Sequence, residues 1–292
     1  MIRDDQTNFL YLADTLPKKY PTFFTHLEKT LLDCGIEYAL LPGTKDVWAV
    51  DYMPIQIDTD KFVRFRYEPP YLTKYAVHRK TISNTAEICR QLGIDAVPSD
   101  IILDGGNVVK WSYQAIMTER IFQDNPAYER KELLSSLHEL LEVDRIHLIP
   151  EQPGDFTGHA DGMVRFLGEN TVLINDFSRE KASFHRAFET AIRNTGLDHI
   201  KIPYNVYQNK SYNQANGDYI NYLQMENTIL LPTFDLPEDE AVERQFEGLF
   251  PGQRIVTVDS NEIADEGGVL NCVSWNVRRA LVTKANQELK NT

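Results

Sequence analysis

Apolar positions recur at helical spacing in five separate stretches of the chain. Residues three or four apart share one face of a helix, so each stretch predicts an amphipathic helix. The first runs from about Tyr20 to Cys34 through Phe24, Leu27, Leu31 and Cys34. The second covers about Ile82 to Leu92, with Ile82, Ala86, Cys89 and Leu92 aligned. Leu133, Leu134, Leu137, Leu140 and Leu141 make the third and broadest face. The fourth collects Phe184, Phe188, Ala191 and Ile192, and the fifth, from Glu238 to Phe250, uses Val242, Phe246 and Leu249.

Between these stretches lie short runs rich in β-branched and aromatic residues, the composition of strands. Phe62–Tyr67, Met163–Phe166, Thr171–Ile174 and Thr228–Leu231 are the clearest. Leu167-Gly168-Glu169-Asn170 predicts a hairpin connection. Asp104-Gly105-Gly106-Asn107, between Ile101–Leu103 and Val108–Lys110, reads locally as a second hairpin turn. Helices interleaved with pairs or triplets of strands predict a mixed α/β fold. Nothing in the 292 residues resembles a linker or a low-complexity tract, so a single domain over 1–292 is expected.

Charge and composition narrow the class. A net charge of −13 repels phosphate backbones, so nucleic acid is excluded as a general partner, while a small cation is favoured. No run approaches the roughly 18 apolar residues of a membrane span, so no membrane partner is expected. Met1–Gln6 is acidic and lacks the apolar core of a signal peptide. Three cysteines, Cys34, Cys89 and Cys272, cannot all pair and show no CxxC spacing, which predicts a reducing, cytoplasmic setting.

Candidate chemistry is spread widely. Cys272 follows Gly267-Gly268 by a few residues. Glycines permit close backbone approach, which can leave a thiolate near free N–H groups; the local alternative is a small buried residue. Cys34 and Cys89 lie on apolar helix stripes and read as core. His159 and Asp161 share one face if their segment is extended, and a carboxylate helps an imidazole hold its proton. The alternative there is a hydrogen-bonded turn before a strand. Asp51, near Trp48 and Pro54, could accept the two parallel N–H groups of a guanidinium, or could simply cap a turn. Arg64 and Arg66 read as exposed strand residues. Asp51, Asp104, His159, Asn221 and Cys272 stand 53, 55, 62 and 51 residues apart, which together with five helices predicts five repeats, each sending one loop to a common centre.

These motifs, in this order, resemble the agmatine deiminase and Porphyromonas-type peptidylarginine deiminase family over about residues 45 to 283. The family pattern W-x-R-D-x-G-P, (D/E)-G-G-N, G-H-x-D, S-Y-x-N and G-G-G-x-x-H-C-x-T has its counterparts at Trp48–Pro54, Asp104–Asn107, Gly158–Asp161, Asp218–Asn221 and Glu266–Ser274. Val50, Met53, Asp218, Glu266, Asn271 and Ser274 stand where the family has Arg, Gly, Ser, Gly, His and Thr. The resemblance implies a pentein, a five-bladed α/β propeller, that hydrolyses a guanidine substrate, with agmatine the leading candidate, yielding N-carbamoylputrescine and ammonia. It implies Cys272 as nucleophile, His159 as general acid/base, and Asp51 and Asp161 as holders of the guanidinium. Trp48, Asn221, Asp104 and Asn107 are the matching substrate-site positions. No cofactor and no metal are expected, the ligand is a small cationic guanidine, and a homo-oligomer is left open.

Overall fold

A β-β-α-β unit recurs five times among the described residues, and one of the units is built from strands far apart in sequence. The computed structural model describes residues 1–211 and 213–280; residues 281–292 of the expected 1–292 domain lie outside the described residues. Among the described residues fifteen strands form five three-stranded sheets. They are β1 (Phe9–Ala13), β2 (Tyr38–Leu41), β3 (Ile55–Asp58), β4 (Lys61–Arg66), β5 (Ala96–Ile102), β6 (Val109–Trp111), β7 (Gln114–Thr118) and β8 (Arg145–Ile149). The remainder are β9 (Val164–Gly168), β10 (Thr171–Asn175), β11 (Asp198–Ile202), β12 (Leu223–Met225), β13 (Thr228–Thr233), β14 (Arg254–Asp259) and β15 (Ser274–Val277).

In four units the first strand hairpins antiparallel onto the second, and the third strand lies parallel to the second. A parallel neighbour needs a long crossover, and the five predicted helices supply it. They are Pro21–Cys34, Thr85–Leu92, Arg130–Leu141, Ala182–Thr195 and Asp239–Leu249. In the remaining unit β1 pairs parallel with β2, while the antiparallel partner comes from the other end of the described chain: β15 sets Trp275 opposite Tyr11 and Val277 opposite Phe9. That pairing closes the ring.

Burial explains which runs were readable. The middle strands are the most apolar because both faces are covered: every residue of β1 and β7 is buried, as are Val172–Asn175 of β10 and Ile229–Pro232 of β13. The outer strands β5, β8 and β11 are largely exposed or half-buried, which accounts for their weak signal. Among the described residues no helix is long and apolar enough to cross a membrane.

One expectation needs correction. Asp104–Asn107 is not a hairpin turn: β5 and β6 belong to different sheets, and Gly105–Asn107 forms one 3-10 turn between them. The reason is packing, since a Cβ on Gly105 would lie 2.0 Å from the Val50 carbonyl oxygen. Of the two readings open for Gly158–Asp161 the turn holds: irregular chain runs into a turn at Asp161–Met163, and the following strand begins at Val164.

Three of the crossover helices end on a left-handed glycine (Gly35, Gly93, Gly196), whereas Arg130–Leu141 ends on Glu142 at φ 51°. A Cβ is disfavoured in that conformation. Glu142→Gly is therefore expected to stabilise the fold by about 1 kcal/mol, its lost surface ion pair with Lys61 mattering little. Thermal unfolding should show a higher midpoint; a lower one would contradict the assignment.

Candidate active site

Each of the five connections that leaves a third strand for the next unit carries side chains to one shared centre. Asp51 lies between β2 and β3, Asp104 between β5 and β6, His159 and Asp161 between β8 and β9, Asn221 between β11 and β12, and Cys272 between β14 and β15. The regular spacing in sequence is thus the length of one unit.

Gly106 is where these segments converge. Its N–H donates to Asp51 Oδ1 at 3.0 Å, and its carbonyl accepts from the Asp161 N–H at 3.0 Å. A Cβ there would stand 2.7 Å from both Asp51 Oδ1 and His159 Nδ1, and 3.3 Å from Asp161 Oδ1. Only a residue without a side chain lets the three groups approach. Gly268 does the same beside the thiol: a Cβ would lie 2.5 Å from the Trp48 ring and 2.9 Å from Cys272 Cβ.

His159 is buried between carboxylates. Its Nε2 lies 3.0 Å from Asp104 Oδ2 and its Nδ1 3.4 Å from Asp51 Oδ1. Burial pulls its pKa down, but Asp51, Asp104 and Asp161 outweigh that and raise it to about 10, so the ring is an imidazolium at neutral pH. Asp51 is pushed up to about 8, mainly by burial and further by Asp104 and Asp161, against the pull of His159. Asp161 is also raised by burial; its Oδ2 accepts from Asn271 Nδ2 at 2.7 Å and Asn221 Nδ2 at 3.2 Å. Cys272 Sγ sits 3.7 Å from the same oxygen, and the Cys272 N–H donates to Asn221 Oδ1 at 3.2 Å. Burial, then the charges of Asp161 and Asp51, hold the thiol pKa well above its usual value.

A cavity of about 430 Å³ opens onto this cluster, lined by Trp48, Asp51, His159, Asp161, Asn221 and Cys272 among others. Seven of its lining residues are acidic, including Asp46, Asp155, Glu180, Asp218 and Glu266, against Lys210 and His159. Among the described residues no arginine lines it, Arg64 and Arg66 included. Two candidates lie elsewhere. Asp104 stands behind His159, and Asn107 is turned to β7, where its Oδ1 accepts from the Thr118 N–H and hydroxyl at 2.9 and 3.0 Å. Cys34 packs on the core and Cys89 is buried in it, where desolvation raises its thiol to about 11. Among the described residues no group of three or more His, Cys, Asp or Glu is arranged to hold a metal ion.

Several wall residues carried no readable signal. Tyr71, Phe156, Tyr204 and Tyr207 line the cavity from segments without periodicity, and Tyr67 joins them just past the end of β4. Pro69-Pro70 and Pro153-Gly154 mark turns but not what the turns present. Asn271 was visible as a departure from the family pattern; its amide bond to Asp161 was not.

Chemically, a thiol, a protonated imidazole and two carboxylates surround a space that favours a planar cation. A pattern describing the Porphyromonas-type peptidyl-arginine deiminase family matches residues 18–277. The agmatine deiminase of Ectopseudomonas mendocina is 25% identical over 207 residues, covering 59% of this chain and 56% of that protein. The match to the agmatine deiminase of Pseudomonas syringae pv. syringae is 24% identical over 214 residues, 61% of this chain and 57% of that one. The chain thus spans less than two thirds of these curated relatives' length. In three dimensions it is similar to the C. jejuni agmatine deiminase (TM-score 0.79, 16% identity, 96% of each chain covered). The Enterococcus faecalis agmatine deiminase gives a TM-score of 0.75 at 15% identity, again over 96% of each chain. These likenesses establish the five-bladed α/β architecture.

Removing the charge of Asp161 should release the thiol. Asp161→Asn is expected to lower the Cys272 pKa and speed its alkylation by iodoacetamide at pH 7 by about tenfold, a one-unit shift. Peptide mapping of the labelled cysteine checks this; unchanged or slower labelling would contradict the electrostatic account.

Proposed function

Because the chain belongs to the Porphyromonas-type peptidyl-arginine deiminase family, we propose that it hydrolyses the guanidine group of a small cation, agmatine, to a urea and ammonia. The observation that carries this reading is the cavity itself: a thiol, an imidazolium and two buried carboxylates in an acidic wall with no arginine to receive a substrate carboxylate. An acidic wall favours a dication over free arginine, which would bring its own carboxylate.

In this mechanism Asp51 and Asp161 accept N–H groups from opposite edges of the guanidinium, with Trp48 as a wall of the pocket. The incoming positive charge offsets the carboxylate field on Cys272, so the thiol ionises when substrate is present and its proton passes to solvent. The thiolate attacks the guanidinium carbon, forming a C–S bond and a tetrahedral adduct. His159 donates a proton to one terminal nitrogen, and the C–N bond breaks to release ammonia. The carbon remains on sulfur as an S-alkylthiouronium. His159 then takes a proton from water, whose oxygen attacks that carbon; the C–S bond breaks, giving N-carbamoylputrescine and the free thiol. Asn221 and Asn271 hold Asp161 through their amides.

Asp218 gives the reading its substrate preference. It is buried in the cavity wall, receives Asn175 Nδ2 at 3.2 Å, and is raised to about 8 by burial, with Asp161 and Asp155 adding to the rise. A distal ammonium on the substrate would supply a positive partner. Three free thiols fit a reducing cytoplasm, which cell fractionation would test.

The reading is tested by measuring ammonia and ureido product from agmatine, N-butylguanidine, free arginine and an arginyl peptide. Agmatine is expected to lead the panel, and Cys272→Ala to abolish turnover while leaving the fold intact. Asp218→Asn should raise KM for agmatine about tenfold but leave N-butylguanidine unchanged, a loss typical of one charged contact. A folded, wholly inactive wild type would refute the function. Equal effects of Asp218→Asn on both guanidines would refute its role.

Binding should also depend on pH. Below about 8 Asp51 carries a proton in the free site and must lose it to accept the guanidinium, so affinity rises with pH and levels off above that value. His159, near 10, stays protonated throughout. Calorimetry of Cys272→Ala with agmatine at pH 6, 7 and 8, in buffers of different ionisation heat, should show tightening and proton release. Affinity that falls with pH would contradict the assignment.

A further inference from the structure

The contact network behind His159 does not end at Asp104. Tyr71, on the short helix Pro70–Thr73, donates its hydroxyl to Asp104 Oδ2 at 2.6 Å, the same oxygen that lies 3.0 Å from His159 Nε2. Among the described residues the other carboxylate oxygen, Asp104 Oδ1, is buried with no partner. Within them all of Asp104's polar side-chain contacts pass through one atom, and without a second anchor the carboxylate turns away from the imidazole more readily. Tyr71 also lines the cavity, and its ring meets Phe156 edge-on at 5.3 Å between centroids. Phe156 sits on the loop that leads into His159, so one tyrosine touches both the histidine's partner and the segment that presents it.

We propose that Tyr71 is a positioning residue for His159. Its hydroxyl fixes Asp104 so that Nε2 is held from behind and Nδ1 stays on the side of Asp51, toward the substrate. This rests on the proposed deimination, in which His159 moves the protons. The hydroxyl is suited to the task because burial and the Asp104 charge keep it un-ionised, hence a donor. Around the pair stand Asp51 from the β2–β3 connection, Asp161 from the histidine's own turn, Tyr67 beside Tyr71, and Asp124 and Arg120 further out. None of them replaces the Tyr71 bond to Asp104.

Tyr71→Phe keeps the ring against Phe156 and removes only the hydroxyl. With agmatine, kcat is expected to fall about tenfold with KM roughly unchanged, a partial loss of acid/base catalysis. With the anchor gone, Asp104 turns away from the imidazolium for part of the time and stabilises it less, so the alkaline limb of kcat should move downward by about half a unit. In an Asp104→Asn background, adding Tyr71→Phe should change nothing further, because the effect runs through that carboxylate. Wild-type kcat, an unmoved alkaline limb, or additive losses in the double variant would each overturn the proposal. Should the wild-type protein prove inactive on every guanidine, the functional reading fails and NMR titration of His159 decides this one separately. An identical His159 midpoint with and without the Tyr71 hydroxyl, or an upward shift, would overturn it; a downward shift would support it.

Discussion

Buried negative charge at the centre of the ring is the constraint on which the rest of this molecule turns. Asp51, Asp104 and Asp161 crowd one imidazolium, and two like charges about 4 Å apart repel by about 4 kcal/mol at an effective dielectric near 20. The protein eases this by protonation and hydrogen bonding: Asp51 rises to about 8, His159 holds its proton to about 10, and two asparagine amides serve Asp161. What remains is an appetite for an external cation. The same field holds the Cys272 thiol pKa well above its usual value. In the proposed reaction, substrate preference and nucleophile control thus have one origin.

The fold makes that crowding feasible by bringing the groups from five different connections. Helices and mostly apolar middle strands, β1, β7, β10 and β13 above all, form the core clusters that carry these connections. Closure of β15 onto β1 binds the Cys272 connection to the start of the chain. Gly106 and Gly268 provide the local clearance, one for the carboxylates and imidazole, the other for Trp48 against the thiol.

Much of the framework was legible in the residue pattern, for a physical reason. A helix covering a sheet must show an apolar stripe, so Leu133, Leu137 and Leu141 announced theirs, and all three are fully buried. The even spacing from Asp51 to Cys272 reflected unit length directly. Outer strands such as β11, exposed on most positions, left little trace. Asp104-Gly105-Gly106-Asn107 misled because turn-forming glycines look alike whether they reverse a strand or admit a neighbour's backbone. Tyr71 could not be found at all: a hydroxyl that reaches a carboxylate 33 residues away in sequence has no local signature.

The central claim is that Cys272 bonds to the carbon of a guanidinium held between Asp51 and Asp161. It is tested most directly by acid-quenching the protein during turnover of agmatine and mapping the mass of its cysteine peptides. An adduct of agmatine minus ammonia is expected on the peptide bearing Cys272, absent from Cys34 and Cys89 and lost as substrate is exhausted. Ureido product formed at full rate with Cys272 unmodified, or by a Cys272→Ala protein, would contradict it.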